Sequence, residues 1–125
     1  MKLKDWLDNG YTVEQQNNLK ILNCSAEGIT SLEGIEKLVN LEKLDCSYNE
    51  LSSLKGIEGL VNLRYLYCSY NELSSLKGIE NIDKLKYLTC HTNPLPYSDL
   101  YNFSKIKLEV IKEVRQDKIR KLLKS

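Results

Sequence analysis

Residues 41–84 read as two lines of 22: LEKLDCSYNELSSLKGIEGLVN (41–62), then LRYLYCSYNELSSLKGIENIDK (63–84). The stretch Ser47–Glu58 recurs unchanged as Ser69–Glu80. The same spacing extends outward on both sides. Leu19, Leu41, Leu63 and Leu85 share the first position, Leu22, Leu44, Leu66 and Leu88 the fourth. Cys24, Cys46, Cys68 and Cys90 share the sixth, and Glu27, Asn49, Asn71 and Asn93 the ninth. Ile29, Leu51, Leu73 and Leu95 follow at the eleventh, and Leu32, Leu54 and Leu76 at the fourteenth, where Ser98 breaks the series. Gly34, Gly56 and Gly78 precede Ile35, Ile57 and Ile79, and Leu38, Leu60 and Ile82 complete the unit.

These spacings have a direct physical reading. Leu-x-x-Leu-x-Cys sends alternate side chains of a short strand to one side. Leu-x-x-Leu-x-Gly-Ile-x-x-Leu returns at intervals of three, as a tight helical turn does. One unit of 22 residues cannot bury both leucine rows, whereas stacked units bury them in a continuous column. The strands are expected to be parallel neighbours about 4.8 Å apart.

Residues 1–18 lie before the repeats. Leu3, Trp6 and Leu7 share a helical face that Asn9-Gly10 ends, with Trp6 expected over the open end of the first repeat. Thr12 and Gln15 have capping-box spacing for a short helix from Val13 to about Asn17. After the repeats, Ser98 is expected to cap a turn through Leu100, Tyr101 and Phe103. Ser104 is expected to cap a helix from about Lys105 to Leu123. Its stripe is Ile106, Val110, Ile111 and Val114, continued less cleanly by Ile119, Leu122 and Leu123. That helix is expected to cover the last repeat.

The motif LxxLxCxxNxLxxLxGIxxLxx resembles the leucine-rich repeat in its 22-residue, internalin-like variety, over Leu19 to about Leu95. The Cys-, Asn- and Lys-rich flavour also resembles the short leucine-rich repeat proteins of giant DNA viruses. The resemblance implies an α/β fold, a right-handed β-α solenoid with a short parallel sheet on its concave face. It implies one domain: a helical N-terminal cap (1–18), four repeats (19–96) and a helical C-terminal cap (97–125). It gives Asn49, Asn71 and Asn93 the role of a hydrogen-bonded ladder inside the bends, from which Glu27 departs. An amide suits that place because it both donates and accepts.

With 125 residues, 42% of them hydrophobic, the chain can hold a single core. Apolar runs are a few residues long, so neither a membrane span nor a secretory segment is expected, and an intracellular, cytoplasmic monomer is. The net charge of +1 is uneven. From Lys105 onward there are eight Lys/Arg against three Asp/Glu, and before it ten against fourteen. The basic tail is either a contact for nucleic acid or an acidic partner, or the solvated face of a helix.

Four cysteines invite zinc or disulfides. Here they recur at one inward-facing position, without a C-x-x-C pair, and with side chains pointing the same way rather than at each other. Cys24, Cys46, Cys68 and Cys90 therefore read as buried thiols packed as small apolar groups, which suits a reducing compartment. No metal or cofactor is expected. His91, the single histidine, stands where earlier repeats have Ser25, Ser47 and Ser69, and reads as a surface residue on the exposed strand face. Ser69 is its neighbour across the ladder, but no orienting carboxylate is evident, so no catalytic residue is assigned.

The variable positions carry the functional expectation. In the resembled family, positions two, three, five, seven and eight form the concave surface. Here they supply Glu42, Lys43, Asp45, Ser47 and Tyr48; then Arg64, Tyr65, Tyr67, Ser69 and Tyr70; then Lys86, Tyr87, Thr89, His91 and Thr92. Five of the eight tyrosines fall among these positions. Tyrosine and arginine are what interfaces enrich. The alternative is that exposed strands favour Tyr for cross-strand packing. The partner-binding set is Lys43, Asp45, Tyr48, Arg64, Tyr65, Tyr67, Tyr70, Tyr87 and His91, and the expected partner a protein or peptide. Strand dimensions give the face roughly 300 Å², against about 800 Å² per partner in a standard interface. The remaining readings are a structural repeat without a dedicated concave partner and a nucleic-acid contact through the basic tail.

Overall fold

Each 22-residue unit makes one short strand and one tight return. The computed structural model describes residues 1–97 and 102–124. Ser98, Leu100 and Tyr101, the expected cap and turn, lie outside them. The strands are β1 (Ile21–Asn23), β2 (Lys43–Asp45), β3 (Tyr65–Tyr67) and β4 (Tyr87–Thr89). They form one parallel sheet in the order β1-β2-β3-β4, with Leu22, Leu44, Leu66 and Leu88 in register. Opposite the sheet, the returns are 3₁₀ turns at Ile35–Lys37, Ile57–Gly59 and Ile79–Asn81. The expected leucine-rich repeat architecture is the observed one.

The core is the stacked column of Leu, Ile and Cys side chains. The backbone enters each 3₁₀ turn through a glycine with positive φ. At Gly78 (φ 112°) a Cβ would also stand 2.8 Å from Ile57 Cγ2 of the repeat before. Close stacking and backbone conformation thus demand glycine together.

Helix α1 (Leu3–Gly10) and helix α2 (Val13–Asn18) precede β1. The capping box of α2 is complete: Gln15 N donates to Thr12 Oγ1 (3.1 Å) and Thr12 N to Gln15 Oε1 (2.8 Å). Leu3 and Leu7 enter the core and Trp6 is half-buried beside Tyr11. Backbone bonds from Leu3 N to Ser31 O (2.9 Å) and Lys4 N to Glu33 O (2.7 Å) fasten α1 to the first repeat. Gln16 was missed as a core residue. It is buried because Nε2 donates to Asp8 Oδ1 (3.1 Å) and Tyr11 O (3.2 Å), satisfying its amide.

Helix α3 spans Phe103–Lys124. It starts before the expected Lys105, and its cap is Asn102 rather than Ser104. Asn102 Oδ1 accepts from Lys105 N (3.2 Å) and Asn102 O from Ile106 N (3.0 Å). The Asn102 amide oxygen reaches the third N–H of the helix, the usual target of a cap. A second correction concerns its stripe. Ile106 and Val110 are buried and Ile111 and Val114 partly so, but Ile119, Leu122 and Leu123 are exposed, Leu123 at 82%. The helix is longer than one repeat is thick, so beyond Asp117, which still pairs with Lys77, it runs past the turn that it covers.

Candidate functional site

Three ladders hold the bends, and one of them was expected. Asn49 Nδ2 donates to the carbonyls of Cys24 (2.9 Å), Cys46 (3.0 Å) and Ser47 (3.2 Å), while its Oδ1 accepts from Glu27 N (3.1 Å) and Ile29 N (2.9 Å). Asn71 and Asn93 repeat the pattern toward Cys46, Cys68 and Cys90. Glu27 is exposed at the same position. A second row was missed. Asn40 Nδ2 donates to Asn17 O (2.8 Å), Asn62 Nδ2 to Val39 O (3.2 Å), and Lys84 Nζ to Asn62 Oδ1 (3.0 Å). The recurring Val-Asn at 39–40 and 61–62 was its signal. The third row lies behind the constant Gly-Ile-Glu. Glu36, Glu58 and Glu80 each turn back to accept from the N–H of Gly34, Gly56 and Gly78.

The four thiols are free and buried. Burial pushes Cys24 up to about 12 and holds Cys46, Cys68 and Cys90 above the ordinary thiol range. Cys46 Sγ donates to Tyr67 O (3.5 Å) and Cys68 Sγ to Thr89 O (3.3 Å). Protonated and enclosed, they pack as small apolar groups and offer no thiolate nucleophile.

On the opposite side, the tyrosines form two rows. Tyr65 stacks on Tyr87 (centroids 5.1 Å, planes 1° apart), one repeat along. Tyr48 stacks on Tyr70 (4.4 Å, 7°), and His91 meets Tyr70 edge-on (5.3 Å, 84°). Between the rows, Lys43 Nζ lies 5.5 Å from the centre of the Tyr67 ring, within cation–π range. Arg64 stands to one side with Lys20, Asn40, Glu42 and Asn62 around a shallow cleft of about 240 Å³. Asp45 already has work inside the protein, since its Oδ1 accepts from Ser47 N (3.0 Å).

Position seven needs correction. Ser47 and Ser69 are buried, not on the exposed strand face, and Ser69 Oγ has no partner among the described residues. The strand ends two residues earlier, so strict alternation no longer governs where the side chain points. His91 at the same position is exposed. Position eight was read as strand but lies in a left-handed turn: φ is 55° at Ala26, 57° at Tyr48, 58° at Tyr70 and 56° at Thr92. A bulky residue there is uncommon and strained. Both tyrosines nevertheless occupy it and meet face to face.

Comparison with known proteins bears on what this arrangement is. A family model described as leucine rich repeats (two copies) matches residues 17–59 and 61–105. The search of curated proteins gave no match. Among solved structures, the chain is similar to the functional domain of InlJ from Listeria monocytogenes, described as including a cysteine ladder. Identity is 40% and TM-score 0.62, over 68% of this chain and 18% of that one. Internalin C2 from the same organism gives 28% identity and TM-score 0.62, over 63% of this chain and 35% of that one. Internalin InlF gives TM-score 0.66 at 24% identity, over 74% and 29%, a likeness of fold. The chain therefore spans between 18% and 35% of the length of these relatives.

Proposed function

The chain belongs to the leucine-rich repeat family, and from that premise we propose that it is a non-catalytic module whose tyrosine-bearing concave face binds a protein or peptide. Leucine-rich repeat proteins are generally interaction modules. The observation that carries the concave assignment is the pair of tyrosine rows on one surface, Tyr65–Tyr87 and Tyr48–Tyr70. Stacking returns about 0.5–1.5 kcal/mol per pair. Left-handed backbone at two non-glycine residues costs on the order of 1–3 kcal/mol each. The same backbone recurs at Ala26 and Thr92, so the turn sets the strain and the tyrosines add to it two stacked rings. Tyr48 and Tyr87 remain 59% and 58% exposed, open to contact by a partner.

The role is binding rather than chemistry. The rings bring large rigid area with polar tips, Lys43 and Arg64 add charge at one side, and His91 extends the Tyr48–Tyr70 row. The column Cys24, Cys46, Cys68 and Cys90 is a scaffold of the kind that the InlJ description calls a cysteine ladder. An intracellular location and a monomeric state remain part of this proposal, the former resting on the four free thiols. Among the described residues, no helix is long and apolar enough to cross a membrane.

The test compares the protein with its Tyr67→Ala/Tyr87→Ala variant, immobilised, for quantitative recovery of partners from cell lysate. At least about a tenfold loss of recovery is expected, with a melting temperature lowered by a few degrees at most. Equal recovery removes the concave reading. A large fall in melting temperature assigns the rings to internal packing instead.

A further inference from the structure

The sheet grows by one set of backbone bonds, repeated at every junction. The sixth-position N–H donates to the next repeat: Cys24 to Asp45 O, Cys46 to Tyr67 O and Cys68 to Thr89 O, each 2.9 Å. The eighth-position N–H does likewise, with Ala26 to Ser47 O, Tyr48 to Ser69 O and Tyr70 to His91 O. The eleventh-position N–H meets the next asparagine side chain: Ile29 on Asn49, Leu51 on Asn71, Leu73 on Asn93. The last repeat carries the same three donors on Cys90, Thr92 and Leu95. Among the described residues, none of the three has an acceptor.

The side chains report the same edge. Leu44 and Leu66 are 0% exposed, but Leu88, in register with them, is only half-buried. Tyr87 gives one ring face to Tyr65, and no ring covers the other among the described residues. Helix α3 closes chiefly the convex side. It packs on the 3₁₀ turn Ile79–Asn81, where Ser75 Oγ donates to Glu113 and Lys77 pairs with Asp117. Cys90 and Leu95 are buried, so what stays open among the described residues is the backbone edge with part of Leu88 and one face of Tyr87. An unpaired strand edge is a template for another strand.

We propose that the free edge of β4 takes an extended segment of a partner chain as a fifth parallel strand, of the pattern aromatic-Leu-x-small-x-x-Asn. Each element answers one open group. The aromatic residue stacks on Tyr87, the leucine covers Leu88, and the small residue lies against Cys90. The backbone carbonyls take the Cys90 and Thr92 N–H groups, and the asparagine accepts from Leu95 N while donating to Cys90 O. The Leu95 donor selects the parallel strand. In every existing junction a side chain, not a strand backbone, serves that donor, and parallel in-register addition brings it there. Antiparallel pairing of two β4 edges across a two-fold axis does not.

The probe is a synthetic peptide, LRYLYCSYNEL, carrying the pattern as it stands in residues 63–73, in reducing buffer. Amide hydrogen exchange is followed by NMR on the intact chain. In the free protein, Cys90, Thr92 and Leu95 should exchange at least about tenfold faster than Cys68, Tyr70 and Leu73. Saturating peptide should slow those three by on the order of tenfold, and a peptide with lysine in place of its second leucine should not. The response should persist in the Tyr67→Ala protein, which separates this edge from the concave face. Three results overturn the proposal: edge amides already as slow as the interior ones, no slowing with peptide, or slowing with protein concentration alone. The last assigns the edge to a second copy of the chain.

Discussion

The two ends of the solenoid are closed by different means. At the N-terminal end, α1 inserts Leu3 and Leu7 into the column and bonds its backbone to Ser31 and Glu33. At the C-terminal end, α3 covers the last 3₁₀ turn with Ile106 and Val110, and the Tyr97 hydroxyl oxygen accepts from Leu76 N (3.1 Å). Beyond that, α3 continues with exposed Ile119 and Leu123, while Leu88 stays half-covered. Both ends need a cap because an open leucine column is exposed to water or to another chain. One cap seals the end and the other covers half of it, so burial and protection should fall toward β4.

Alkali should give the largest effect. All four thiols sit above their ordinary value because burial disfavours the thiolate, so the unfolded chain ionises first, near pH 9. Each thiol's contribution is intact below pH 9 and is lost as pH rises toward the folded value, about 12 for Cys24. The slope is about 1.4 kcal/mol per pH unit per thiol. Urea unfolding at pH 8 and pH 10.5 should differ by several kcal/mol, and Cys46→Ala should reduce that difference more than Cys90→Ala. Equal effects would mean that the C-terminal edge is as dry as the middle.

Next in size is a direct contrast of the caps. Leu7→Ala should cost about 2–5 kcal/mol, as a cavity in a closed core does. Leu123→Ala should stay within about 0.5 kcal/mol. Denaturant midpoints measure both, and a costly Leu123→Ala would show that the projecting half of α3 is packed in solution. The smallest contrast lies within the amide ladder. Asn71→Ala should cost about 1–3 kcal/mol by orphaning buried carbonyls and the Leu51 N–H. Asn93→Ala should cost about as much, since its amide is as buried and serves Leu73 N, Cys68 O and Cys90 O in the same way. Calorimetry measures both, and a much smaller loss at Asn93 would show that water reaches this last bend.

Much of this was legible in the chain. A fixed period of 22 residues with Leu, Cys and Asn in column required stacking, and the Thr12-x-x-Gln15 spacing identified α2. Other features were not legible, for physical reasons. Ser47 looked exposed because alternation was carried past the strand's end, into a left-handed turn that local sequence does not announce. Ser104 was expected to cap α3, but Asn102 takes that place; both residue types cap well, and local sequence does not decide between them. Nothing local marks Gln16 as buried; its amide is satisfied by Asp8 and the Tyr11 carbonyl only once the two helices meet. The concave residues were named as a set, but their grouping into Tyr65–Tyr87 and Tyr48–Tyr70–His91 came from register and turn geometry.

The sequence by itself determined the repeat, the parallel stacking and the buried columns, because periodic apolar side chains have one economical way to leave water. Tertiary structure alone decided which tyrosines touch, how far α3 covers the last repeat, and that β4 is the last strand of the sheet among the described residues. Those outcomes depend on where backbone segments from distant parts of the chain come to rest, and no local pattern encodes that.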